Sequence, residues 1–300
     1  MSDPNNSKAK SNVALSSVIA AVFLTGFKLF VGLLTGSLGI LSEALHSGLD
    51  LIAAVLTFFA VRIADKPPDD DHHYGHGKVE NLSALIETML LAVTCIWIVY
   101  EAYERLTTGR THIIVSIWSF LVIILSILID FGRSRALSRA AKKYKSQALE
   151  ADALHFSTDI LSSVVVLLGL GFSYFNMQIA DSISALMVAV IVLGICYSIG
   201  KKSIDVLMDK SPAKLREKIL VIINDIPEIF KAHDIRIRTS GPVLFIEMNI
   251  HVNPEISISQ AHELCHLVEN KIKEVVGRSE VHVHAEPEQS TNYSIPRTLE

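Results

Sequence analysis

Six apolar runs fill the first two hundred positions, at Val13–Leu34, Leu38–Ala64, Val79–Leu106, Ile113–Phe131, Ala153–Phe175 and Ile179–Ile199. Each is close to the roughly 20 residues that an α-helix needs to cross the hydrocarbon core of a bilayer. Thr35-Gly36-Ser37 leaves room only for a tight hairpin between the first two, and Asn176-Met177-Gln178 does the same for the last two. The segments 65–78 and 132–150 are longer and polar, and the second carries Arg133, Arg135, Arg139, Lys142, Lys143 and Lys145. Basic loops stay on the cytoplasmic side. Six spans then place Lys8, Lys10, both polar segments and everything after Lys201 inside, with Arg105 and Arg110 outside.

Beyond Asp209 the pattern changes. Leu215–Asp225 reads as an amphipathic helix that ends before Pro227. Asp234–Thr239 and Leu244–Val252 alternate as strands around Ser240-Gly241-Pro242, Ser259–Val276 is a second helix and Glu280–Ala285 a last strand. The order αββαβ suggests a small ferredoxin-like α+β domain. The fold class is therefore a membrane all-α six-helix transporter domain followed by a small soluble domain. The expected divisions are a polar N-terminal tail over 1–12, a membrane domain over 13–208, a cytoplasmic domain over 209–288 and a disordered tail over 289–300.

Composition agrees with this division: half the residues are hydrophobic, 19% are charged and the mean hydropathy is +0.40. A net charge of −4 argues against a nucleic-acid partner. Cys95, Cys196 and Cys265 form no CxxC, so neither a disulfide framework nor a thiolate zinc knuckle is expected. The polar opening has no signal-peptide pattern, so the first apolar run should be a retained helix.

Ionisable groups at membrane depth cost several kcal/mol unless paired, which makes them functional candidates. The second span contains His46 and Asp50, and the fifth His155 and Asp159. Both are HxxxD, and an i,i+4 spacing puts each pair on one helix face. If the two helices meet there, two imidazoles and two carboxylates make a tetrahedral zinc site. Iron(II), cobalt(II), cadmium(II) and manganese(II) share much of that ligand preference. A hydrogen-bonded pair that pins helices together explains one copy of the motif but not two. Glu43 and Asp152 stand three residues before the two histidines, and Lys28 and Glu87 lie inside spans with no assigned partner.

The segment 69–78 packs three aspartates and three histidines into eight residues, with Gly75 and Gly77 to allow a tight backbone. A third group lies in the soluble domain, where six of the twelve histidines fall after position 230. A domain this small gains stability from a bound metal.

These residues resemble the cation diffusion facilitator family of divalent metal exporters, from about Val13 to Pro287. The most specific segments are the paired HxxxD motifs, Tyr74–Glu80 (YGHGKVE), Glu150–His155 (EADALH), Gln260-Ala261-His262 and Val283–Pro287 (VHAEP). The resemblance implies a homodimer in a bacterial inner membrane, with both termini cytoplasmic, that exchanges cytoplasmic metal ions for protons. It implies a transport site at His46, Asp50, His155 and Asp159 and a loop site at Asp69, His72 and His76. It implies a site in the cytoplasmic domain at His233, His262, His284 and Glu286, and a charge interlock between Lys78 and Asp209 that joins the protomers. Asn249 departs from the family, which often has histidine there, and His251 faces the same side and substitutes for it. Zn²⁺ is the expected cargo and regulatory ligand, because histidine at the first position of the span-two motif resembles zinc-selective members. No enzyme chemistry is implied.

A rival reading rests on His262-Glu263-Leu264-Cys265-His266, which matches the HExxH motif of zinc peptidases. It leaves both intramembrane motifs unexplained and places the motif in a domain too small to frame a substrate cleft. A metal sensor that does not transport is a further alternative.

Overall fold

The computed structural model describes residues 4–36, 38–108, 117–174 and 178–288. The chain divides into two compact units, Met1–Leu207 and Met208–Glu300. The expected disordered tail, 289–300, and Arg110 lie outside the described residues.

Among the described residues the first unit contains six helices: α1 (Pro4–Thr35), α2 (Leu38–Ala64), α3 (Val79–Thr108), α4 (Ile117–Tyr144), α5 (Gln147–Tyr174) and α6 (Gln178–Leu207). Segments of α1, α2, α3 and α6 are long and apolar enough to cross a membrane. α4 and α5 carry buried polar groups, among them Asp130, Arg133, Asp152 and His155. The surface is inverted relative to a water-soluble protein. Leu34, Leu45, Trp97 and Val190 point outwards, while Lys28, Asp50, Glu87 and Asp152 are enclosed. Large exposed apolar patches mark contact with another apolar phase, and inside it polar side chains must find partners within the bundle.

Two expectations change. The polar opening is helical from Pro4, because buried Lys10 is held by Asp65 at 2.7 Å and Glu80 at 2.8 Å. The basic stretch after Phe131 continues α4 rather than forming a loop. Leu137, Ala140 and Ala141 pack there against Ala148, Leu149 and Phe156. The chain reverses at Lys145, whose φ is 53°, and α5 starts six residues before the expected span.

The second unit runs α7 (Ala213–Asn224), β1 (Lys231–Ser240), β2 (Val243–Val252), α8 (Ile258–Val276) and β3 (Ser279–Pro287). Its sheet has the order β1-β2-β3. β1 and β2 are antiparallel, whereas β2 and β3 are parallel and are joined by α8. Ser257 and Gln260 form a reciprocal capping box that starts α8. Cys265, Val268 and Ile272 of α8 pack on Ile246, Met248, Ile250, Val281 and Val283. Side chains alternate across a strand, so Asn249, His251, His284 and Glu286 project from the other face of the sheet.

Candidate metal sites

The two HxxxD pairs meet inside the first unit, where α2 packs on α5. His155 Nε2 lies 3.1 Å from Asp50 Oδ1 and 3.6 Å from Asp159 Oδ2. His46 Nε2 lies 3.9 Å from Asp159 Oδ1. Ligand atoms of His46, Asp50 and Asp159 fall within 4.8 Å of one another. Buried His155 Nδ1 and Asp159 Oδ2 have no hydrogen-bond partner among the described residues. His155 stands outside that trio but contacts both of its carboxylates, so two imidazoles and two carboxylates offer the donor types that suit a tetrahedral divalent cation.

The surrounding polar groups account for the intramembrane charges that the sequence pattern left unassigned. Lys28 Nζ donates to Ser47 Oγ at 2.7 Å, and Glu87 Oε1 accepts from Thr57 and from Ser83. Lys28 and Glu87 therefore each have a partner on a neighbouring element or turn. Ser17 donates to Asp152 Oδ2 at 3.3 Å. Arg133, which the charge pattern assigned to a cytoplasmic loop, is buried. Its Nε and Nη2 donate to Ser17 Oγ at 3.3 and 3.1 Å, and its Nη1 to Asp130 Oδ1 at 3.2 Å. Its guanidinium lies 3.4 Å above the centre of the Phe156 ring. Sequence reasoning missed this network because a cation in a basic run looks exposed. The i,i+3 spacing of Asp130 and Arg133 was the available signal. The side chain of Glu43 lies outside the described residues.

The segment between α2 and α3 folds around Asp69. Its Oδ1 accepts the backbone N–H groups of His72 at 2.7 Å and Asp71 at 3.2 Å. That hydrogen bond from the His72 N–H holds the Asp69 carboxyl below its ordinary range, and His76 and the His72 side chain add to the effect. His72 Nδ1 is 3.3 Å from Oδ1, and His76 Nε2 is 3.4 Å from Oδ2. Gly75, with φ +74°, makes the turn that brings both rings to one carboxylate.

On the open face of the sheet, His233 Nε2 lies 2.9 Å from His251 Nε2 and 3.3 Å from Glu286 Oε2. His251 Nε2 is 3.5 Å from the same oxygen, and Asn249 donates to Glu286 Oε1 at 2.8 Å. Thus His251 completes a trio while Asn249 orients its carboxylate. Among the described residues His262 and His284 do not join this group. His284 pairs in register with Asn249, whereas Glu286 faces His251 further along the strand. His262 is on the exposed side of α8, whose buried stripe faces the opposite side of the sheet. Lys78 Nζ donates to the Leu207 carbonyl at 3.4 Å. Asp209, with φ 56°, belongs to the second unit.

Residues 14–208 match the family described as the cation efflux transmembrane domain, and residues 212–288 the cation efflux protein cytoplasmic domain. This chain belongs to the cation diffusion facilitator family. Similar relatives of this cation diffusion facilitator include the cation-efflux pump FieF of Yersinia enterocolitica, 29% identical over 288 residues and covering 95% of each chain. FieF of Escherichia coli is 30% identical over 284 residues and covers 92% of each. The metal-bound C-terminal domain of the CzcD transporter from Thermotoga maritima is 30% identical, with a TM-score of 0.24. It covers 25% of this chain and 88% of its own. As a family member the chain is a membrane transporter that exports divalent metal cations, not an enzyme. Among the described residues no third ligand joins His262 and His266 of the HExxH segment in a metal-binding group.

Proposed function

We propose that this transporter exports Zn²⁺ first, with Fe²⁺, Co²⁺, Cd²⁺ and Mn²⁺ as weaker competitors, in exchange for protons. The observation that carries this reading is the convergence of His46, Asp50, His155 and Asp159 inside a helical membrane domain. A metal-ligating imidazole must be neutral, so a proton and the cation compete for the same nitrogen. Alternating access then couples release of the ion on one side to uptake of protons there and their delivery to the cytoplasm. The chain works as a homodimer in a bacterial inner membrane with both termini cytoplasmic, and Lys78 and Asp209 make the charge interlock between its domains. The loop site at Asp69, His72 and His76 receives cytoplasmic cations. The trio at His233, His251 and Glu286 senses their abundance, shifting the equilibrium between transport states by its differential affinity. Purified protein in liposomes under an imposed pH gradient tests this. Zn²⁺ flux should exceed that of the other four ions, move protons in the opposite direction and slow when the gradient is collapsed. Zn²⁺ flux with no counter-movement of protons would rule out the proton exchange, and a stronger preference for Mn²⁺ or Fe²⁺ would rule out zinc.

A further inference from the structure

Cys95 and Cys196 take no part in the export reading, and no spacing in the sequence links them, yet the fold brings them together. Cys95 lies in the apolar segment of α3 and Cys196 in that of α6, and the two helices pack on one another. Gly200, one turn beyond Cys196, is so near α3 that an added Cβ would stand 3.6 Å from Thr88 Cγ2. Moving forward from Thr88 to Cys95 along α3 therefore leads back from Gly200 to Cys196 along α6, as in an antiparallel pair. Both thiols are free and buried, and their side chains are in hydrogen-bond contact with each other.

The surroundings set this pair apart from the other donor clusters. Leu91, Val188 and Val192 are buried with the two cysteines, and Val165 of α5 packs against them. Those side chains offer no ligand atom. Val165 follows Asp159 by six residues, a rise of about 9 Å along α5. The thiols are close enough to the transport ligands to feel the charges of Asp159 and His155.

The chemistry of the pair selects its ligand. A coordinating thiol gives up its proton, so two thiols supply two negative charges. In an aliphatic cluster an uncompensated charge is strongly disfavoured, and a doubly charged ion leaves the product neutral. Zn²⁺ takes four ligands, whereas the cluster supplies two. Sulfur is a soft donor, and the soft divalent ion that is satisfied by two thiolates is Hg²⁺. We propose that Cys95 and Cys196 form a two-thiolate site for a thiophilic divalent cation of this kind, beside the transport site and distinct from it. Binding forms two S–Hg bonds, breaks two S–H bonds and releases two protons to water, with no change in oxidation state. The inference stands apart from the proposed zinc–proton exchange, because it concerns binding alone.

The test uses the full chain in detergent with Cys265→Ala, which removes the third thiol. Protein is loaded with HgCl₂ and washed with an excess of 2-mercaptoethanol, and the mercury left per chain is counted. A monothiol strips an ion held by one cysteine or by histidines. The second bond of a fixed pair forms at high effective concentration and resists the wash. Cys265→Ala should retain one ion per chain. Adding Cys95→Ala or Cys196→Ala should remove it and weaken binding at least about a hundredfold, with the helical circular dichroism unchanged. Cys95→Ser and Cys196→Ser, closer to cysteine in volume, replace the alanine variants if those lose helix. No retained ion in the Cys265→Ala protein overturns the site, and so does retention when either Cys95 or Cys196 is missing.

Discussion

The intramembrane cluster and the sheet trio use the same chemistry in opposite surroundings. Side chains of His155, Asp50 and Asp159 are 9%, 10% and 15% exposed, with His46 at 36%, against 27%, 19% and 32% for His233, His251 and Glu286. In the cluster an absent ligand leaves the remaining charges desolvated and poorly paired. In the trio, water can take the open coordination position at little cost. The same substitution should therefore abolish the work of one site and only tune the other.

The largest effect should come from the cluster. Asp50→Ala or Asp159→Ala is expected to reduce zinc flux by about a hundredfold or more, as one ligand of four and one of two negative charges are lost. Flux assays on protein with an unchanged circular dichroism spectrum would show it, and wild-type flux in either variant would break the contrast. Lys78→Glu comes next. It should weaken the transport-competent dimer and lower flux severalfold, with partial restoration when Asp209→Lys is added. Size-exclusion chromatography alongside flux reads both parts, and an absence of rescue would count against direct pairing.

His46→Asp sharpens the comparison by changing kind rather than strength. It exchanges a nitrogen for an oxygen and adds a negative charge, which favours harder cations. The variant should stay active while competition by Mn²⁺ or Fe²⁺ against zinc improves several-fold. Its flux should also depend less on pH near neutrality, because one proton-competing imidazole is gone. An unchanged metal preference would place selectivity outside this ligand. His251→Ala should raise the zinc concentration for half-maximal flux a few-fold and leave the maximum nearly intact. Lost flux at saturating zinc would show that the trio does more than sense.

The smallest effect concerns the loop. Asp69 has a lowered folded-state pKa, so its ionised form contributes to the turn above the unfolded value of about 3.9. That contribution is lost only as pH falls through the lower folded value. The turn that presents the loop ligands should therefore stay intact on acidification until that lower value is reached. Titration of zinc binding to the Asp69→Asn variant against wild type at two pH values would check it. The variant should bind more weakly at both.

What the sequence made legible follows from the range of each pattern. HxxxD is local, and a helix fixes the relation between positions four apart, so spacing alone pairs His46 with Asp50 and His155 with Asp159. Strand alternation likewise put Asn249 and His251 on one face. The register that leaves His284 opposite Asn249, and the buried stripe that turns His262 away, depend on contacts between elements. No single segment encodes them. The helical continuation past Phe131 was hidden for a related reason. Arg133 reads as a surface cation until α1 and α5 close around it.

Lys10 and Arg133 also bear on the lipid boundary. A count of basic residues assigns both to the surface that meets headgroups, yet Lys10 lies between Asp65 and Glu80 and Arg133 between Ser17 and Asp130. Neither displays its charge to an anionic leaflet. Attraction to phosphates at that rim falls instead to the exposed Arg135, Arg139, Lys142, Lys143 and Lys145. At about 1 kcal/mol per cation near such a surface, the seating of this helix end on the leaflet rests on five side chains, not six.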